Sequence, residues 1–166
     1  MNRESISDCT IKNLAIYTQT EYGVEFGGIT GLNTQKITNC SLSKTIVEGS
    51  ALIGGAVGQN DGVLKNCILS TIRSTGENSI GGIVGSSSNA SICSSVIHNG
   101  FVYSTPKSEN RGKLFGVLEK NSSVNQCFSV NNTEDSDLVG VDNRKETSGV
   151  FASTQSIEEI RSLALV

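Results

Sequence analysis

The chain has 166 residues and a mass of 17.5 kDa, which suits one compact domain. Its formal charge of −3 leaves no net cationic field to hold nucleic acid or anionic lipid, and its apolar runs fall far short of the roughly 20 residues that span a bilayer. Aromatic residues make up 5% of the chain, so a thick aromatic core is not expected, whereas 18 glycines indicate a chain that turns often.

The chain opens without a recognisable repeat. No apolar stretch of the kind found in secretory signals follows Met1, so no export signal is read here. Residues 1–10 are predicted to be a lead-in to the repeats. We expect the chain to be part of a longer protein, because these residues show no feature that would cap a repeat array.

A glycine motif then recurs along the chain. Residues 27–31, 54–58 and 81–85 each read Gly-Gly, two further residues and Gly, at intervals of 27 residues. Weaker copies occur around Gly116 and Gly140. Self-similarity at a fixed period of this length is typical of a solenoid. The glycine pairs are predicted to lie at bends or where backbones approach closely, and they are Gly27, Gly28, Gly54, Gly55, Gly81 and Gly82.

A second marker keeps nearly the same period. It aligns a small apolar residue in each repeat, preceded in three repeats by an asparagine that tolerates left-handed dihedrals: Asn13, Asn39 and Asn66. We expect these asparagines to form a side-chain ladder. The residues that follow are predicted to form an inward column of small hydrophobic side chains, consisting of Leu14, Cys40, Cys67, Cys93 and Cys127.

Short apolar runs separated by Gly, Asn or Ser indicate strands rather than helices within each repeat. Stacking equivalent strands about 4.8 Å apart gives parallel sheets. We therefore predict an all-β protein, a parallel β-helix of about five coils over residues 11–155. Both markers lengthen in the fourth repeat, which places an insertion loop at residues 103–112, around the only proline.

The end of the chain has helical spacing. Ile157, Ile160 and Leu163 lie on one helical face, and Ser156 with Glu159 matches a capping box. Residues 156–166 are therefore predicted to form a short C-terminal helix that covers the last coil.

The repeat resembles a known family. Gly-Gly-hydrophobic-hydrophobic-Gly, then Asn or Ser, then hydrophobic-x-Asn-Cys is similar to the GLUG repeat, and residues 27–40 and 54–67 match it best. Residues 81–93 match with one deletion, and the last two copies lack a glycine. GLUG repeats occur in large bacterial surface and adhesin-like proteins and in the non-catalytic region of immunoglobulin-A-cleaving metalloproteases. The resemblance implies a right-handed β-helix, exported to the cell surface, without catalytic activity.

Few residues offer reactive chemistry. Five cysteines and one histidine, without a Cys-x-x-Cys pair, do not match a zinc site, so reduced core cysteines are favoured over a disulfide or metal site. Cys9 lies outside the predicted column and is the candidate exposed thiol. His98 is interpreted as a surface or turn residue. The acidic segment 131–142 is interpreted as a solvated loop, with calcium binding as the alternative.

These observations predict no catalytic, cofactor-binding or metal site. We expect a non-enzymatic, stiff repeat segment of a bacterial surface or secreted adhesin-like protein, which contacts a host or surface protein or glycan and binds neither nucleic acid nor a membrane interior. One alternative is a carbohydrate-active β-helix, either a lyase, a hydrolase or a glycan-binding module, although Tyr17, Tyr22 and Tyr103 are few for sugar binding. Another is self-assembly through uncapped coils.

Overall fold

The predicted parallel β-helix is confirmed. The computed structural model contains strands and their connections, without a helix, in the residues that it describes, which are 1–18, 24–93, 96–98, 100–104, 110–130, 137–144 and 150–153. The chain makes about four turns, close to the predicted five. The C-terminal helix predicted for residues 156–166 lies outside the described residues.

Each coil contributes four or five short strands. Strands of two to four residues fit the spacing of Gly, Asn and Ser along each repeat, because these residues end a strand at a bend. The first two coils contain β1 (Ser5–Ser7), β2 (Thr10–Lys12), β3 (Ala15–Tyr17), β4 (Phe26–Gly27), β5 (Thr30–Asn33), β6 (Lys36–Thr38), β7 (Ser41–Glu48), β8 (Ile53–Gly54) and β9 (Val57–Asn60).

The later coils repeat this order. In the third coil, as in the second, two strands merge into one long bent strand. The remaining strands are β10 (Val63–Lys65), β11 (Ile68–Gly76), β12 (Ile80–Gly81), β13 (Val84–Ser87), β14 (Ser91–Cys93), β15 (Val96–His98), β16 (Phe101–Ser104), β17 (Arg111–Gly112), β18 (Phe115–Leu118), β19 (Ser123–Asn125), β20 (Cys127–Val130), β21 (Val139–Asp142) and β22 (Val150–Ser153).

Equivalent strands pair in parallel and form four sheets. Sheet 1 has the order β1-β6-β10-β14-β19. Sheet 2 has the order β2-β7-β11-β15-β20-β22, with β3 paired to β7 and β16 paired to β11. Sheet 3 is β17-β12-β8-β4, and sheet 4 is β21-β18-β13-β9-β5.

Residues with left-handed dihedrals make two of the bends. Asp8, Asn39 and Asn66, with φ between 54° and 57°, lie between sheets 1 and 2. The Asn39 amide donates to the Asp8 carboxylate at 3.1 Å, and the Asn66 amide donates to Asn39 at 3.3 Å. The predicted ladder therefore exists for Asn39 and Asn66, with Asp8 in place of Asn13.

Asn13 makes a different bend. With Lys44 and Thr71, which have φ of 51° and 54°, it divides sheet 2 into two halves. The second half consists of β3, the ends of β7 and β11, and β16.

The first coil begins earlier than predicted. Instead of forming a lead-in, residues 1–10 contribute β1, which pairs with β6, and Asn2 forms a bridge with Asn33. Ser5 pairs with Lys36, 31 residues later, whereas Thr30 pairs with Val57, 27 residues later. Extra residues between β3 and β4 therefore lengthen this coil and conceal its register in the sequence.

A second lengthened coil lies near the C-terminus. Ile53 pairs with Ile80, but Ile80 pairs with Arg111. The extra residues lie between β16 and β17, within the segment 103–112, of which residues 105–109 lie outside the described part of the chain.

The cysteine column differs from the prediction in two members. Ile6 pairs with Ile37 and Ser7 with Thr38, so Cys9 precedes Cys40 in the column and Leu14 does not. Leu14 accepts a backbone hydrogen bond from Ile46 and lies one bend further along the coil. Cys93 pairs with Lys65 and Asn125, positions on the outward side of sheet 1, so its place in the inward column was also wrong.

Close backbone approach explains the paired glycines. Gly27, Gly54 and Gly81 are in register across sheet 3. A Cβ on Gly54 would collide with the carbonyl oxygen of Val57, and one on Gly55 would collide with the carbonyl oxygen of Gly82. Crowding, rather than a left-handed dihedral, therefore requires glycine at these two positions.

The core has two parts. The larger one is an aliphatic column that includes Ile37, Leu64 and Ile92 together with Cys40 and Cys67. The smaller one, formed by Val47, Ile53 and Ile80, lies beneath the second half of sheet 2. Small side chains at equivalent positions fill this interior, which explains how the chain folds with few aromatic residues.

Candidate functional site

The outward surfaces of the sheets differ in composition. Sheet 1 presents Lys36, Lys65, Ser123 and Asn125, which are polar or charged and exposed. Such residues are what an ordinary solvated surface carries. The second half of sheet 2 is different because aromatic residues occupy its outward positions.

Strand alternation places two aromatic side chains there. In β3, Ile16 packs inward against the smaller core cluster, so Tyr17 points outward and is 64% exposed. In β16, Val102 packs against the same cluster, and Phe101 is 51% exposed. Within the described residues, these are the two aromatic side chains that the fold leaves exposed.

Two outward rows connect these strands. One row consists of Ala15, Ile46, Arg73 and Phe101, and the other of Tyr17, Glu48, Thr75 and Tyr103. We call these eight residues the aromatic face. Tyr17 belongs to its first rung and Phe101 to its fourth, so three strand spacings, about 14 Å, separate them along the solenoid axis.

The first half of sheet 2 continues this composition towards the C-terminus. One of its outward rows begins at Thr10 and Ser41, passes through Ile68 and Val96, and ends at two phenylalanines. The chain has three tyrosines and five phenylalanines. Five of these eight occupy outward register positions of sheet 2, namely Tyr17, Phe101, Tyr103, Phe128 and Phe151.

Positive charge accompanies the aromatic residues. Arg73 is an exposed member of the aromatic face, and Lys44 and Lys12 are exposed beside it, at and before the bend of sheet 2. Glu48, half-buried, is the carboxylate of the face. Three cations against one anion give this surface a positive local charge, although the whole chain is negative.

The cysteine column is chemically inert at neutral pH. Cys9 is half-buried, whereas Cys40, Cys67 and Cys127 are buried, and all four are free thiols. Burial raises the pKa of the Cys67 thiol to about 12 and also raises the pKa of Cys40. Because the thiolate is the reactive form, Cys40 and Cys67 act as small hydrophobic residues.

The remaining candidate groups are dispersed. His98 is in register with Ser70 and Val130 on sheet 2. In the described part of the chain, no group of three or more His, Cys, Asp or Glu residues is close enough to hold a metal ion.

The acidic segment has one carboxylate that already has a partner. The Arg144 side chain donates to both oxygens of Asp142, at 2.9 Å and 2.6 Å, and this hydrogen bonding lowers the pKa of the Asp142 carboxyl. Residues 131–136 lie outside the described part of the chain. Asp142 therefore serves an ion pair at the last coil, and calcium binding by residues 131–142 stays a hypothesis.

Sequence analysis missed two features. The first is a buried ladder in which the Asn2 amide donates to Asn33 and the Asn33 amide donates to Asn60. Its signal was present, because Asn33 and Asn60 each lie two residues after the third glycine of the motif. The second is the aromatic face, which local spacing does not reveal because Tyr17 and Phe101 are far apart in the chain.

Comparisons of the chain with models of protein families, with curated proteins and with solved structures find no match. In the described residues, the structure contains no helix that is long and apolar enough to cross a membrane.

Proposed function

We propose that the chain is a non-catalytic recognition segment of a bacterial surface or secreted adhesin-like protein built from GLUG-type repeats. In this role the stacked coils form a stiff support, and the aromatic face makes contact with the partner. The observation that carries the proposal is the position of Tyr17 and Phe101, which are 64% and 51% exposed on one side of the same half-sheet. Exposed aromatic residues gathered on one surface are typical of interaction sites.

The scaffold beneath this face supports the proposal. Parallel pairing continues across the four coils of the half-sheet, and Ile16 and Val102 anchor its first and last strands in the core. A side chain on a strand held in this way keeps its position without a ligand. Such preorganisation lowers the entropy cost of binding.

The charged groups favour binding over catalysis. Glycoside hydrolysis requires two carboxyl groups at a defined separation. In the described outward residues of the aromatic face, Glu48 is the one carboxylate. The alternative, a carbohydrate-active lyase or hydrolase, therefore has one nominated acidic residue on this face.

An adhesion assay tests the proposal. Beads coated with the protein are expected to adhere to cultured epithelial cells, and the double variant Tyr17→Ala/Phe101→Ala is expected to reduce the number of adherent beads several-fold. Val24→Ala, which alters an exposed apolar residue elsewhere, serves as the control. Equal adhesion of the double variant and the wild type would reject the aromatic face as the contact surface.

A turnover assay addresses the enzymatic alternative. Incubation of the protein with plant and animal polysaccharides should release no reducing ends and no unsaturated products. Sustained release that disappears in Glu48→Gln would replace the proposal with the catalytic alternative.

A further inference from the structure

We infer that the aromatic face binds a linear anionic glycan, whose chain carries carboxylate or sulfate groups and lies along the solenoid axis. This inference rests on the proposed function, since it names the ligand class of the same surface. It is carried by three observations: the axial spacing of the aromatic residues, the cations between and beside them, and the flat four-rung geometry.

The axial geometry suits a polymer of sugar rings. Successive rungs repeat about every 4.8 Å, which is close to the length of one pyranose unit in an extended chain. Tyr17 on the first rung and Phe101 on the fourth can therefore stack against sugar rings that belong to one continuous chain. Aromatic rings offer such rings a large apolar surface at low cost in conformational entropy.

The cations select for negative charge. Arg73 occupies the third rung, in the same row as Phe101, and it is exposed. Its guanidinium group has the fork geometry that binds a carboxylate or sulfate through two hydrogen bonds. Lys44, in the bend beside the face, adds a second positive charge within reach of a ligand that lies across the second and third rungs.

Glu48 adds direction to the site. It lies on the second rung in the row of Tyr17, so an anionic group on the ligand is disfavoured there and favoured next to Arg73. Repulsion at one position and attraction at another set the register of a charged polymer. A neutral sugar hydroxyl near Glu48 can donate a hydrogen bond to its carboxylate.

The same charges argue against nucleic acid as the ligand. The chain carries 13 basic and 16 acidic residues, whereas nucleic-acid-binding surfaces need a dense basic patch to neutralise several phosphates. A glycan with spaced anionic groups requires fewer cations. Single-stranded DNA is therefore included in the test as the competing class.

Binding measurements with four defined polymers test the inference. Isothermal titration of the whole chain uses polygalacturonate for carboxylate, dextran sulfate for sulfate, unmodified dextran as the neutral control and an oligo-dT strand for nucleic acid. We expect binding to polygalacturonate, dextran sulfate or both, with little binding to dextran or oligo-dT. The affinity should fall roughly tenfold in Tyr17→Ala, in Phe101→Ala and in Arg73→Ala.

Lys65→Ala is the matched control, because it removes one exposed positive charge from sheet 1 and leaves the aromatic face intact. It should change the affinity less than twofold. Circular dichroism melting of each variant should match the wild type, since these side chains are exposed. Equal weakening by Arg73→Ala and Lys65→Ala, without an effect of Tyr17→Ala, would mean ion exchange and would overturn the inference.

Three other results would also overturn it, namely equal binding to dextran, tighter binding to oligo-dT, or no binding to either anionic glycan. The bead assay separates these failures from failure of the proposed function. If bead adhesion needs Tyr17 and Phe101 but the anionic glycans do not bind, the ligand is of another class and the recognition function stands. If adhesion is independent of both residues, the recognition function falls as well.

Discussion

The side-chain amide of Asn33 donates a 2.7 Å hydrogen bond to the side-chain oxygen of Asn60, one coil further along the solenoid, and both residues are fully buried. Asn33 also accepts from the Asn2 amide at 2.8 Å and from the Gln35 backbone N–H at 3.3 Å. A buried amide with its partners satisfied pins the register between coils, because a shifted coil would leave polar groups without partners.

Replacing Asn33 should destabilise the protein. Asn33→Leu leaves the Asn2 amide and the Asn60 oxygen without their side-chain partner, and we expect the free energy of unfolding to fall by about 2–4 kcal/mol. Urea denaturation followed by circular dichroism measures this loss. Asn121→Ala, which removes an exposed 2.9 Å hydrogen bond to Asn89, should cost less than about 0.5 kcal/mol. Similar losses in the two variants would contradict the ladder's role.

Gly55→Ala tests the crowding at the glycine pair. The added methyl group would collide with the Gly82 carbonyl oxygen of the next coil, whose strand cannot move without breaking its own pairing. We expect the free energy of unfolding to fall by about 3 kcal/mol. Differential scanning calorimetry reports the change, and Ser43→Ala at an outward position of sheet 2 provides a mild comparison. An unchanged melting temperature in Gly55→Ala would rule out this close approach.

Thr71→Asn should stabilise the protein. Thr71 has a φ of 54°, which is strained for a β-branched residue, and it is exposed. Asparagine adopts this conformation more readily, so we expect a gain of about 1 kcal/mol. Guanidinium unfolding midpoints measure it. The same exchange at Thr38, within β6, should have the opposite sign because asparagine is a poor strand residue. A loss of stability in Thr71→Asn would contradict the bend.

The cysteine column predicts a loss of stability at high pH. Burial raises the pKa of Cys67 from 9.0 to about 12 in the folded state, so the unfolded chain loses this proton first. The contribution is complete below pH 9 and is lost as the pH rises from 9 towards 12, by at most about 1.4 kcal/mol per pH unit.

Urea titrations of the wild type and Cys67→Val at pH 8, 9 and 10 separate this effect from other titrating groups. The wild type should lose more stability than the variant between pH 9 and 10, because valine cannot ionise. Parallel pH dependence of the two proteins would show that Cys67 is not buried as described.

Local sequence determined the repeating unit of this protein. The 27-residue glycine spacing predicted a parallel solenoid because each glycine pair answers a crowding that recurs once per coil. Asn39 and Asn66 predicted a bend with a side-chain ladder, since the asparagine side chain and its left-handed dihedral act within one or two residues. Such features depend on neighbours in the chain and can be read from it.

Tertiary stacking decided the register of the first coil and the location of the candidate site. Asn13 and Leu14 imitate Asn39 and Cys40 because left-handed residues serve two successive bends, and pairing of β1 with β6 is what assigns Cys9 to the column. Tyr17 and Phe101 share a face because the extra residues of two coils shift their strands into the same half-sheet. Pairing between coils joins residues far apart in sequence, and so the surface it creates has no local signature.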